Sequence, residues 1–179
     1  MSNYIIVKDE VSFIEIEQDG VVFYAVIDTE NLGLVRGISW NLSGQGYVRT
    51  TKMVSRKKTV TILLHRLLLG ERATKCTDHI NMNKLDCRMA NLRPCTVSQN
   101  SMNRTRQENN TTGYKGVVYC KKKKKYRARI GFNRRKIHVG WFDCKEDAAI
   151  AYNEAARLIH QDFARLNSIL GYQTTSEAT

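Results

Sequence analysis

The residues best suited to chemistry lie in one stretch, Asp78 to Asn100, which reads DHINMNKLDCRMANLRPCTVSQN. Hydrolysis of a phosphodiester needs a group that takes a proton from water and a group that stabilises charge on the leaving oxygen, held on opposite sides of one phosphorus. His79 suits the first task, because an imidazole with an unperturbed pKa of about 6.5 accepts protons near neutral pH. Asp78 suits the second: its carboxylate is the hard oxygen donor that Mg²⁺ prefers, and Asn100 adds a neutral amide oxygen from another element. One carboxylate and one amide leave several waters on Mg²⁺ or Mn²⁺, whereas zinc would favour an imidazole.

These side chains make demands on the backbone. Neighbours on a regular strand point to opposite faces, so Asp78 and His79 are expected at an irregular strand end. Residues 80–90 hold Asn81, Asn83 and Asp86 and no proline, which predicts a self-bonded Ω-type loop. Leu92 to Thr96 reads as a short return strand that Pro94 confines to an edge. Thr96 and Gln99 stand at capping-box spacing, so a helix should start there and run through Met102, with Asn100 in its first turn. Arg88 and Arg93 flank the loop as possible phosphate contacts, and solvated surface is the plainer reading of both. His65 follows a strand-like apolar run, where a packed structural histidine competes with a phosphate contact.

Composition bounds the reading. A chain of 179 residues, 42% hydrophobic and 26% charged, supports one compact domain or two small ones. No apolar run reaches membrane-spanning length and no signal segment opens the chain, so a soluble, cytoplasmic protein with no membrane partner is expected. Five cysteines without a CxxC pair indicate neither a disulfide framework nor a structural zinc. Net charge is +12, and residues 104–140 alone hold thirteen Lys or Arg against one acid, Glu108, a local excess equal to that of the whole chain. A polyanion, most commonly nucleic acid, is the natural partner of so localised a field.

The chain opens with strand-like segments at Tyr4–Val7, Val11–Glu17 and Val21–Ile27, joined by the hairpin signal Asp19-Gly20. Leu34–Trp40, Tyr47–Val54 and Thr59–Leu64 continue the pattern, predicting a β-meander of about 60 residues that serves as a scaffold. Polar residues 104–113 mark a linker. Beyond it, Tyr114–Tyr119, Tyr126–Ile130 and Lys136–Phe142 read as three strands, with Arg127 and Arg129 on one face and Tyr126, Ala128 and Ile130 on the other. Asp143 and Glu146 then open an alanine-rich helix bearing Ala148, Tyr152, Ala155 and Ile159 at helical spacing.

DHINMNKLDCRMANLR...TVSQN resembles the ββα-metal motif of HNH endonucleases of the phage and intron-encoded homing type, over about residues 65–104. The resemblance implies that Asp78 and Asn100 are metal ligands, that His79 is the general base, and that Asn91 ties down the loop and orients that base. HRL at 65–67 matches the lead-in these enzymes often show. YKGV...YRARI...HVGWF...EDAAIAYNEAA...ARLN is similar to the AP2 DNA-binding domain over residues 113–167. That resemblance implies a sheet lying in the major groove, with Lys115, Arg127, Arg129, Lys136 and His138 near the family's contact positions. Tyr126, Arg134, Arg135 and Lys122 of the basic loop 121–125 complete the expected DNA-binding set. Val118 and Cys120 stand where plant-type relatives carry arginines, and His138 replaces a frequent tryptophan, so sequence preference does not transfer.

The expectation is therefore an α+β chain with four parts. Residues 1–64 form the β-rich scaffold, 65–108 an HNH ββα-metal motif, 109–170 an AP2-like three-stranded antiparallel sheet packed on one helix, and 171–179 a flexible tail. Its expected function is Mg²⁺-dependent (or Mn²⁺-dependent) cleavage of duplex DNA to 5′-phosphate and 3′-hydroxyl ends, nicking as a monomer or weak dimer. A DNA-binding regulator with a relic nuclease motif is the competing reading. A structured-RNA binder is weaker, because the C-terminal strands lack a paired aromatic stacking platform.

Overall fold

The computed structural model describes residues 2–70 and 76–170; the tail expected over 171–179 lies outside them. The fold is α+β, built from small antiparallel sheets and few helices. The chain divides into two compact units, residues 1–97 and 98–179. No helix among the described residues is long and apolar enough to cross a membrane.

The first unit starts with strands β1 (Ile5–Lys8), β2 (Val11–Gln18) and β3 (Val21–Asp28), paired in that order. Alternation decides which side is buried: Ser12, Ile14 and Ile16 of β2 lie opposite Ile27, Ala25 and Phe23 of β3, and this face enters the core. The β2–β3 hairpin closes on Asp19 and Gly20, both at positive φ (55° and 75°), the conformation that Asp-Gly adopts in a two-residue turn whose twist matches the strands.

The expected meander is broken at its middle. In place of a strand over Leu34–Trp40, the chain forms a helical turn, α1 (Leu32–Val35), and regains strand pairing only in the two-residue β4 (Asn41–Leu42). The reason is that the backbone of this stretch finds partners outside any ladder. Asn3 accepts from the Trp40 N–H through Oδ1 and donates to the Trp40 carbonyl through Nδ2, and the Trp40 indole donates to the Val35 carbonyl. The later strands therefore make a second sheet, β4 with β5 (Val48–Ser55) and β6 (Lys58–Leu63).

Helix α2 (Leu64–Leu69) follows β6 directly and buries Leu64, His65, Leu68 and Leu69 along one stripe. Strands β7 (Cys76–His79) and β8 (Leu92–Cys95) form a two-stranded sheet. Ile14, Ile16, Ile27, Val35, Trp40, Val48, Leu64 and Leu92 belong to a single core, so the presumed scaffold and the Asp78–Asn91 segment share one interior. Each large apolar side chain buried there contributes roughly 1.5–3 kcal/mol against unfolding.

Helix α3 (Val97–Asn103) carries the chain into the second unit, whose sheet has the order β11-β10-β9. Its strands are β9 (Val117–Cys120), β10 (Lys125–Phe132) and β11 (Arg135–Phe142). Helix α4 (Lys145–His160) starts at Cys144, whose sulfur accepts from the Asp147 N–H, and packs Ala148, Ala149, Tyr152 and Ala156 onto Val117, Ala128 and Ile130. Gly116 (φ +77°) permits this approach: a Cβ there would meet the Tyr152 ring at 2.1 Å and the Arg129 carbonyl at 2.7 Å.

Candidate active site and basic sheet

Asp78 and His79 are the last two residues of β7, and both are buried, at 4% and 5% exposure. Antiparallel register sets Asp78 opposite Arg93 and His79 opposite Leu92 with no bulge, so the ladder stays regular through His79 in place of the expected irregular strand end. The pairing has a chemical consequence, because Arg93 donates to Asp78 Oδ2 through both Nε (2.9 Å) and a terminal nitrogen (2.7 Å). Arg93 is thus committed to the carboxylate beside the histidine, and Arg88 is committed likewise to Asp86 through bonds of 2.8 and 2.7 Å.

The loop 80–91 is held from within by Asn91, which is 7% exposed. Its Oδ1 accepts from the Asn81 N–H at 2.9 Å, its Nδ2 donates to the Asp86 carbonyl at 2.8 Å, and its carbonyl accepts from the Ile80 N–H. Both ends of the loop and its midpoint therefore close on one residue, through its side chain and its carbonyl, which fixes the backbone just after His79. Asp86 accepts from Asn81 Nδ2, and the guanidinium of Arg88 holds its carboxyl below the usual carboxylate range. The loop is also tied to β3: Val26 N–H donates to Leu85, Cys87 N–H donates to Val26, and Met89 N–H donates to Asp28 Oδ2.

Around His79 stand His65 of α2, edge-on with ring centroids 5.0 Å apart, and Tyr47, whose ring centroid lies 5.4 Å from His65 and 6.1 Å from His79. Lys84 places its ammonium 4.7 Å from the Tyr47 ring centroid. Burial lowers the pKa of His79, although the carboxylates of Asp78 and Asp86 pull the other way. His65 falls further, to about 4, through burial and then the proximity of His79 and Arg66; its buried Nδ1 has no hydrogen-bond partner. Both imidazoles are therefore neutral at pH 7, the state in which a ring nitrogen can accept a proton. Cys87 Sγ lies 4.0 Å from His79 Nε2, and burial pushes this thiol up to about 12, so it stays protonated.

Asn100 sits on α3, in the second unit, whereas Asp78, His79 and Asn91 belong to the first. Among the described residues no three His, Cys, Asp or Glu side chains are gathered to hold a metal. The donor chemistry next to His79 fits a hard divalent ion bound through one carboxylate and otherwise by water and substrate oxygens, the manner Mg²⁺ favours, and does not fit a protein cage.

On the sheet of the second unit, a β-bulge changes what the basic face presents. Ala128 pairs with Gly140 and Arg129 with His138, so Val139 is the extra residue, and it turns into the core. Simple alternation along β11 would send His138 and Trp141 to opposite faces. With the bulge, Trp141 lies opposite Arg127 and next to His138, at 5.5 Å between ring centroids. The Arg127 guanidinium (5.6 Å) and the Lys123 ammonium (4.3 Å) both approach the Trp141 ring. Arg127, Arg129, Lys136, His138 and Trp141 thus share one face.

The other expected contacts are placed differently. Tyr126 packs with the core, Arg134 sits in the β10–β11 turn at positive φ, Arg135 opposes Phe132 on the helix side of the sheet, and Lys122 is exposed in its loop. Lys115 turns inward: its ammonium donates to the Met102 carbonyl, its N–H donates to Asn167 Oδ1, and burial beside Arg165 lowers its pKa to about 8.

Comparisons with protein-family models, curated proteins and solved structures found no match. What the chain can do is therefore argued from its own side chains. Two residues of the sites escaped sequence reading. Tyr47 reads as an ordinary strand residue, and no spacing links it to His65 or His79. Trp141 could be found only from the register shift at Val139.

Proposed function

We propose that the chain is a metal-dependent endonuclease that hydrolyses one phosphodiester of duplex DNA, leaving 5′-phosphate and 3′-hydroxyl ends. The observation that carries the reading is His79: a buried, neutral imidazole at a strand end, directly beside an acid and immobilised by the Asn91-closed loop. His79 accepts the proton of the attacking water, and His65 and Tyr47 fix the plane of its ring. A hydrated Mg²⁺ or Mn²⁺ held through Asp78 would supply charge stabilisation at the leaving oxygen. Arg93 holds the Asp78 carboxylate in one orientation. The proposal rests on the first unit alone, with Asn100 as a further oxygen ligand only by resemblance to HNH enzymes.

The second unit supplies a DNA-binding face of the AP2-like kind, with Arg127, Arg129 and Lys136 on phosphates or guanine edges and the Trp141 ring steadying the Arg127 guanidinium. A single site per chain makes a nick the product of one binding event.

One observation favours a second reading, a DNA-binding regulator without catalysis: the guanidinium of Arg93 already neutralises Asp78. The two readings separate on incubating the purified protein with Mg²⁺ and duplex DNA flanking its own coding sequence, then mapping ends. Metal-dependent nicks that vanish in His79→Ala, with DNA affinity kept within a few-fold, support the nuclease. Binding without any cut in the unaltered protein refutes it and leaves the regulator.

A further inference from the structure

The β5–β6 hairpin outgrows the body of the first unit. Its strands pair from Arg49 opposite Leu63 out to Ser55 opposite Lys58, yet burial stops early. Val48 and Thr50 are buried, whereas every residue from Thr51 to Thr61 is exposed on both faces. About five residues per strand therefore project roughly 17 Å beyond the core, at about 3.3 Å per residue. Met53, Val54 and Val60 stand out in solvent at 70%, 55% and 41% exposure. A bare two-stranded ribbon with apolar residues in water gains little for its own stability.

Charge says what such a ribbon meets. Residues 49–66 carry six basic side chains and no acid, although the chain outside 104–140 is balanced overall. Lys52, Arg56, Lys57 and Lys58 have no ion-pair partner among the described residues. A face built only for solubility mixes both signs and avoids exposed apolar groups.

We infer that the β5–β6 ribbon is a second DNA-binding element, inserted into the major groove of the duplex. The groove, about 12 Å wide and 8.5 Å deep, admits a two-stranded ribbon, and the projecting length exceeds its depth. Cross-strand pairing sorts the side chains. Thr51 with Thr61 and Met53 with Thr59 make one face of hydroxyls and a thioether, suited to base edges and thymine methyls. Arg56 and Lys57 at the turn, with Lys58, reach the phosphate backbone. The inference shares with the function proposed above only that the partner is duplex DNA, and it requires no catalysis.

The test uses the full chain with Arg56→Gln, Lys57→Gln and Lys58→Gln combined, titrated against duplex DNA between 50 and 200 mM salt. Each lost phosphate contact lowers the log–log salt slope by about 0.9, so the slope should fall by about 2.7. Unaltered protein then loses about 40-fold more affinity than the variant across that fourfold salt range. In an otherwise unaltered chain, a photo-crosslinking benzophenone amino acid in place of Met53 should attach to the duplex, and one in place of the exposed Tyr4 should not. This arm decides the matter even where the triple variant folds poorly. Equal slopes with no crosslink from position 53, in a protein that does bind duplex, overturn the ribbon proposal and leave the nuclease reading standing. Failure of the unaltered chain to bind duplex at any salt overturns both. Loss of binding to anionic phosphatidylserine vesicles in the triple variant, with DNA binding unchanged, also overturns the ribbon proposal, in favour of a membrane surface.

Discussion

Acidification should weaken the first unit through His65 more than through an ordinary surface histidine. In the unfolded chain His65 titrates at its usual value of 6.5, and in the folded unit burial brings it to about 4. Between these values the unfolded state binds a proton that the folded state refuses, so stability is complete above pH 6.5 and declines as pH falls towards 4. At pH 4.5 the shift from 6.5 to about 4 amounts to about 2.5 kcal/mol from this one side chain. A His65→Gln variant lacks the term, and the carboxylates that also titrate in this range are common to both proteins. Urea titrations at pH 7 and pH 4.5 read it directly. Trp40, 2% exposed in the same core as Leu64 and Leu68, reports on this unit once Trp141 is replaced by Phe. Unaltered His65 should cost about 1–2 M more in urea midpoint on acidification than Gln at the same position. Parallel losses in the two proteins would show that His65 is already charged, or already solvated, in the folded unit, and would remove the neutral pair from the account of the site.

Three other outcomes are expected. Asn91→Ala removes two hydrogen bonds that close the loop, one buried and one half-buried, which should cost about 2–4 kcal/mol in urea denaturation and abolish any nicking; an unchanged midpoint would show that the loop holds itself. Gly116→Ala drives a methyl into the Tyr152 ring at positive φ, so calorimetry should show the second unit destabilised by about 3 kcal/mol or more, whereas an unmoved transition would contradict the packing described for α4. Replacing Arg127 and Arg129 together by Ala should lower the log–log salt slope of duplex binding by up to about 1.8, and no change would remove both arginines from the proposed DNA-binding face.

The local half of the site was legible in sequence. Asn81, Asn83, Asp86 and Asn91 hydrogen-bond to near neighbours, so their types and spacing announced a self-closed loop between two short strands. The sheet and helix of the second unit were legible for a similar reason, as alternation in β10 and alanine spacing in α4 are short-range patterns. What escaped depends on distant partners. Leu34–Trp40 carries strand-forming residues, but Asn3 satisfies the Trp40 backbone and no ladder forms. Tyr47, His65 and His79 come from three elements and meet only after the core assembles. The engagement of Asp78 by Arg93 follows from β7–β8 register, which composition does not fix. The inward turn of Lys115 depends on a carbonyl of α3 thirteen residues earlier.

Three hydrogen bonds between residues 85–89 and β3, two of them backbone to backbone and one accepted by the Asp28 carboxylate, make the histidine loop inseparable from the first thirty residues. A cassette cut at residue 64 and grafted onto another carrier would leave Leu85, Cys87 and Met89 without the strand they lean on. Carrying this loop into another protein therefore means moving the whole of residues 1–97 with it.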